Sequence, residues 1–563
     1  MHLPLFPVFV AVLALTGCGH DDGGVDLRSR SVDNRLAYIP PQCFTRTLDA
    51  GASKAQNPCY VCHADAAVPN YQSQPELQLA YAFPQLQGGR DVANPWSNLF
   101  VDRKTAIEAI NDHDIARYAG TDNYHAADGR PLLAARLSRP PPRWDVDGDG
   151  RWSGYTPDAG FRYDAQGYDL AADGRASGWR RFAYYPLPGA FMPTNGSFDD
   201  VLIRLPAAFR QDEQGNDSTM IYSLNLAIVE ALIRRADVAI DRADETTLGV
   251  DLDGDGRLGT AARVHYNWQP LAGHGMSYVG RARQEQLAGR VHLAAGLYPE
   301  GTEFLHSVRY LAVDASGKVR AAPRMKELRY ARKLGWLSYS DLRHDAGLEA
   351  REAELNPNRL EHFLGNPERG LQNLIGWSYQ GFIEDRQGRL RPQTYEETVQ
   401  CMGCHSGLSA TEDGSFALPR KLAEGPAHGW GSDAATEAYA LPDPLRADGQ
   451  PEFATYLRNN HAGDEYRANG EVAARFFQAD ATPQAAAFDA LSRDLSTLLL
   501  PSAGRALALD KAYLLLVREQ SYVRGRDAML EPAANVYKEI APDAPTGIGE
   551  AQPAPRLSSP PPA

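Results

Sequence analysis

Two copies of one five-residue pattern constrain this chain more than any other feature: Cys59-Tyr60-Val61-Cys62-His63 and Cys401-Met402-Gly403-Cys404-His405. Cys-x-x-Cys-His is the attachment pattern of c-type haem. Thiols at that spacing reach the two vinyl groups of one porphyrin, and the adjoining imidazole meets the iron as proximal ligand. The expectation is two covalent haems, held by Cys59 and Cys62 with His63, and by Cys401 and Cys404 with His405. Other readings explain less. A zinc site of four thiolates would leave both histidines without a role and would join motifs separated by 337 residues. A thioredoxin-like dithiol belongs in a βαβ context, which the proline-rich flanks do not provide.

The rest of the chain bounds the setting. It has 563 residues, 43% hydrophobic and 23% charged, near globular averages and long enough for a sizeable core. Fifty glycines and 39 prolines favour turns and long connections over a helical bundle. The expected fold is mixed α+β with much irregular structure. A net charge of −14 argues against a nucleic-acid partner, which would call for a basic excess. Beyond the N-terminus no run of 18 apolar residues occurs, so the mature chain has no helical membrane span.

The N-terminus carries a twelve-residue, mostly apolar stretch, Pro4 to Leu15, followed by Leu15-Thr16-Gly17-Cys18. The stretch has the length of a signal h-region and is too short to span a bilayer. It resembles a bacterial lipoprotein signal, although Met1 to Leu3 holds no Lys or Arg. The resemblance implies removal of residues 1–17 and lipid on Cys18, anchoring the protein to a membrane. A plain secretory signal is the alternative, and both export the chain. Gly19, rather than Asp, follows the cysteine, which favours the outer membrane, facing the periplasm or the cell surface. Cys43 is left over: a buried thiol, a thiolate axial ligand or half of an intermolecular disulfide.

Residues 18–36 read as a polar tether, 37–135 as a first haem region and 136–330 as a strand-rich region. Residues 331–440 read as a second haem region, 441–540 as helical and 541–563, with seven prolines, as a disordered tail. Leu305 to Val313 reads as a strand with Phe304, His306, Val308 and Tyr310 on one face, followed by a turn at Asp314-Ala315-Ser316-Gly317. A helix or turn is expected around Tyr395–Val399. A helix capped by Thr482 should run to Pro501.

Two acidic loops lie in the strand-rich region. Asp145, Asp147 and Asp149, then Asp251, Asp253 and Asp255, occupy positions 1, 3 and 5 of an EF-hand-type calcium loop, with Gly150 and Gly256 at the turning sixth position. Position 12 should be Glu and is Thr156 or Ala262. The expectation is structural calcium in loops of EF-like local geometry, with Asp158 completing the first; an Asp/Gly turn without metal is the bland alternative.

For the distal sides of the irons the leading candidates are His306, on an aromatic strand face, and Met325. Met325 lies in a basic stretch, Arg320 to Lys333, that could pair with haem propionates or dock an acidic partner. His274, Met276, His428 and Cys43 follow. The motifs and the lipoprotein signal together resemble bacterial c-type cytochromes of a lipid-anchored dihaem type. The resemblance implies electron transfer between periplasmic or outer-membrane redox proteins such as other cytochromes. The alternative is a dihaem oxidoreductase, peroxidase-like or thiosulfate-dehydrogenase-like, with one catalytic haem. A plain small-cytochrome fold throughout is not expected, because the 95 residues after His63 contain no methionine ligand.

Overall fold

The computed structural model describes residues 24–46, 58–72, 75–79, 83, 92–189, 193–422, 429–431, 441–459, 469–540 and 548. Cys18, His428 and the tail 541–563, except for residue 548, lie outside them, as do parts of the first haem region. The fold is mixed α+β, as expected, and it is organised by one antiparallel sheet.

The strands of that sheet are β1 (Tyr168–Leu170), β2 (Ala176–Phe182), β3 (Phe198–Arg204), β4 (Glu303–Val313), β5 (Val319–Lys333), β6 (Leu364–Asn366), β7 (Gly370–Gln372), β8 (Trp377–Glu384) and β9 (Leu390–Pro392). Their order is β1-β2-β3-β4-β5-β8-β7-β6, with β9 paired to β8. β4 and β5 form the long central hairpin, closed by the expected turn at Asp314 to Gly317. In β3, β4 and β5, Val201, His306 and Arg329 lie in register.

Side chains alternate across a strand, so the sheet has two distinct faces. On one, Phe182, Val201, Ile203, Phe304, Trp377 and Tyr379 enter the largest core. On the other, Trp179, Leu202, Leu305, Met325, Leu328 and Phe382 pack with Leu27, Tyr124 and Trp144. Two helices join the first core: α1 (Thr219–Arg234) and α2 (Tyr395–His405), the latter carrying the second motif. The sequence reading did not single out α1. It is apolar nearly all round and correspondingly buried.

Three expectations change. Residues 24–36 are not a free tether: Leu27 is buried, its N–H donates to the Arg143 carbonyl, and Asp33 and Asn34 donate to Glu396 of α2. Apolar residues spaced along a polar segment were enough to dock it. The helix expected from Thr482 to Pro501 is two short ones, Ala485–Leu491 and Ser496–Leu499, the first starting after Gln484 rather than Thr482. The long helix of that region is α3 (Ala503–Glu519), capped by Ser502. The middle of the basic stretch in β5 is turned into the protein, although Arg320 and Arg332 stay exposed. Arg324 pairs with Glu384, Arg329 with Glu327 and Lys333 with Asp413, all within the protein.

Candidate haem centre

The helix that carries the second motif is built to start at a fixed point. Thr394 and Glu397 form a capping box, with the Glu397 N–H donating to Thr394 Oγ1 at 3.2 Å and the Thr394 N–H to Glu397 Oε2 at 2.8 Å. Arg391 clamps the same carboxylate through two bonds of 2.8 Å. The helix then runs unbroken to His405. Gly403 sits against the Tyr38 carbonyl, where a Cβ would come within 1.6 Å of the oxygen. That contact accounts for glycine inside the motif.

His405 is the best-defined group. Its Nδ1 lies 2.6 Å from the Gly414 carbonyl. A carbonyl only accepts, so Nδ1 carries the proton and Nε2 is left to meet a metal. This outer bond is the usual orienting device of a metal-bound histidine. Desolvation lowers the His405 pKa to about 4, keeping the imidazole neutral. The Tyr379 ring lies 4.9 Å from it, and Asn373 donates to the His405 carbonyl at 2.7 Å.

The first motif is a single helical turn, Cys59–Cys62, closed by the His63 N–H donating to the Cys59 carbonyl at 2.8 Å. Tyr60 and Val61 are buried, with Tyr60 beside Tyr456. Gln78 donates to the His63 carbonyl.

The fold brings the two motifs together. The Ala410 N–H donates to the Cys62 carbonyl at 3.1 Å, and Ser409 Oγ does so at 3.2 Å. The Ala64 N–H donates to Ser409 Oγ at 3.1 Å. Asn70 Nδ2 donates to the Leu408 and Thr411 carbonyls at 3.3 and 3.1 Å. Cys43 lies close enough to both motifs that the Cys59 and Cys404 thiols add to the burial that raises its own pKa.

Cys43, Cys401, Cys404 and His405 keep accessible surface while desolvation dominates their titration. Burial pushes Cys59 and Cys404 up to about 12, the opposite of the depressed values of a redox dithiol. Among the described residues the motif thiols form no group of three or more converging on one ion, as a shared zinc site would require. Each motif offers its own thiol pair and an adjoining histidine, the donor set that a c-type haem uses.

His306 and Met325 part company. His306 is on the sheet face that packs against α2. Its Nε2 lies 3.0 Å from Asp199 Oδ2, which also accepts from the Tyr184 hydroxyl. Met325 is on the opposite face, fully buried among Tyr124, Leu328, Phe382 and Leu390. Its place on β5 aims it away from both motifs, which removes it as a distal ligand. Sequence reasoning could not see that parity, because a register shift separates Val308 from Arg309 in the β4–β5 pairing. His274 and Met276 lie on a separate loop; Met276 packs against the main core.

The acidic loops also depart in detail. Asp145, Asp147 and Asp149 place one carboxylate oxygen each within 4.8 Å of one another. Backbone N–H groups, that of Gly150 foremost, hold the Asp145 carboxyl below its usual range. Asp158 does not complete this site: it is committed to Arg204, Trp179 and Tyr155. The carboxylate beside the loop is that of buried Glu368, which accepts from Val146 and Ser153 N–H at 2.9 and 2.7 Å. In the second loop the converging group is Glu245, Asp251 and Asp253. Asp255 instead accepts the Arg257 N–H. Glu245 lies six residues before the loop, and no loop pattern points to it.

Among the described residues no helix is long and apolar enough to cross a membrane. No solved structure matches the chain. A protein of Aquifex aeolicus (strain VF5) named as an uncharacterized lipoprotein is 28% identical over 594 residues, covering 97% of this chain and 95% of its own. The model of a lipoprotein family matches residues 27–491. The chain belongs to that lipoprotein family and is, as membership implies, an exported protein held to a membrane by lipid.

Proposed function

We propose that this lipoprotein is a dihaem c-type cytochrome that carries electrons between periplasmic or outer-membrane redox partners. The observation that carries the reading is His405, placed one residue after a thiol pair on a continuous helix, with Nδ1–H committed to the Gly414 carbonyl. Cys401 and Cys404 would hold one haem with His405 on its iron; Cys59 and Cys62 would hold the other with His63. Bound haem iron supplies a one-electron couple whose potential its axial ligands and surroundings tune. The chain's own part would be to orient His405 and to offer His306, on the sheet face that packs against α2, as a further residue to hold the second haem. Asp199 would fix the His306 ring for that purpose, as carboxylates do for metal-bound imidazoles. Gly19 after the lipid-bearing Cys18 supports delivery to the outer membrane. The acidic loops are read as structural calcium sites, the second using Glu245 in place of Asp255.

The test is covalent haem content. The purified protein should retain two haems per chain after acid–acetone extraction. Cys59→Ala/Cys62→Ala should remove one, and Cys401→Ala/Cys404→Ala the other. Two extraction-resistant haems in either double variant would defeat the assignment. A wild-type protein half high-spin and turning over peroxide would favour the oxidoreductase reading instead.

A further inference from the structure

We infer that the two haem sites form one coupled centre, in which the charge state of either haem sets the redox equilibrium of the other. The inference rests on reading both motifs as haem sites, and it concerns how they are joined rather than whether they bind haem.

The seam between the motifs carries it. Residues 62–70 bond directly to residues 408–411 through the Cys62 carbonyl, the Ala64 N–H and the Asn70 side chain. The covalent path from His405 to Ala410 is five residues, and one hydrogen bond then reaches Cys62. A second tie lies just outside. Arg235, at the end of α1, donates to both Glu412 oxygens at 2.9 and 2.8 Å and to the Val68 carbonyl, gripping the flank of each motif with one guanidinium. Asn70 and Arg235 make the juxtaposition part of the fold, because each bonds to backbone that moves with a motif.

The seam joins the two motif segments directly, and across a path through protein a charge is screened less than in water. An electron added to a haem held at one motif would therefore change the field at the other. Separate domains joined by a linker would instead keep water and mobile chain between the haems, and their equilibria would be independent.

The experiment uses the purified full-length protein with both haems attached. Stepwise potentiometric reduction followed by EPR should show the signal of one ferric haem changing in shape or intensity as the other is reduced. In Cys59→Ala/Cys62→Ala the remaining haem should differ from its wild-type counterpart by at least tenfold in its reduction equilibrium, about 59 mV for one electron. If that variant fails to mature, the wild-type EPR titration decides alone. Asn70→Ala/Ser409→Ala, which cuts the seam while keeping every haem-attachment residue, should weaken the interaction. Two covalent haems with spectra and potentials indifferent to one another would overturn the inference and leave the cytochrome reading standing. Fewer than two covalent haems in the wild type would overturn both.

Discussion

Lys333→Met tests how the segment that orients His405 is held. Lys333 Nζ lies 2.6 and 2.8 Å from the two oxygens of Asp413, and the paired side chains are 0% and 1% exposed. Asp413 also accepts the Tyr298 N–H at 2.9 Å and Trp377 Nε1–H at 3.2 Å, and its neighbour Gly414 supplies the carbonyl that holds His405. Methionine keeps the stem and removes the charge. Breaking a buried pair in this way costs about 3–5 kcal/mol.

Protonation of the stranded carboxylate limits that loss. Neutralising an aspartate of unfolded pKa about 3.9 costs roughly 1.4 kcal/mol for each pH unit above that value, so roughly 4 kcal/mol at pH 7 and 1.5 at pH 5. Burial already raises the Asp413 pKa, while Lys333 opposes the rise. Removing Lys333 raises it further. A carboxyl with a raised folded value is best tolerated at low pH and destabilises increasingly as pH climbs towards that value. Denaturant unfolding should therefore show a loss of about 3–4 kcal/mol at pH 7 and about half of it or less at pH 5. Lys333→Met/Asp413→Asn should recover part of the loss, since Asn carries no charge to strand. A loss below about 1 kcal/mol at pH 7, or one equal at both pH values, would refute the argument.

His306→Ala should turn the second haem high-spin with covalent haem unchanged. Met325→Ala should cost about 2–5 kcal/mol of stability with both spin states intact, and the opposite pattern in optical and EPR spectra would reverse the assignment. Chelating divalent cations should lower the melting temperature, because a ligand at 100 times its Kd stabilises by about 2.7 kcal/mol. Asp147→Ala, Asp253→Ala and Glu245→Gln should each reduce that calcium dependence and Asp255→Ala should do so less; no calcium by elemental analysis and an unchanged melting temperature would leave plain Asp/Gly turns. Cys18→Ala should release the protein from the membrane fraction or leave it unprocessed, and continued membrane association after washing would point to another anchor.

The motifs, the β4–β5 hairpin and the two acidic loops were legible because each depends on residues close in the chain. Cys-x-x-Cys-His spacing, alternation from Leu305 to Val313 and the turn at Asp314 are local matters of reach and backbone geometry. The choice between His306 and Met325 was not legible, since it turns on which face of one sheet each occupies, and an irregular strand pairing changes that parity without any mark in the composition. The supporting carboxylates escaped for a related reason: Glu368 reaches its loop from 223 residues beyond Asp145, and only folding places it there. The meeting of the two motifs belongs wholly to the tertiary structure. The Cys-x-x-Cys-His pattern was readable in the sequence by itself, because it occupies five consecutive residues. Their meeting was decided by hydrogen bonds between segments some 340 residues apart, made by backbone groups and by the Asn70 and Ser409 side chains, which no local pattern distinguishes.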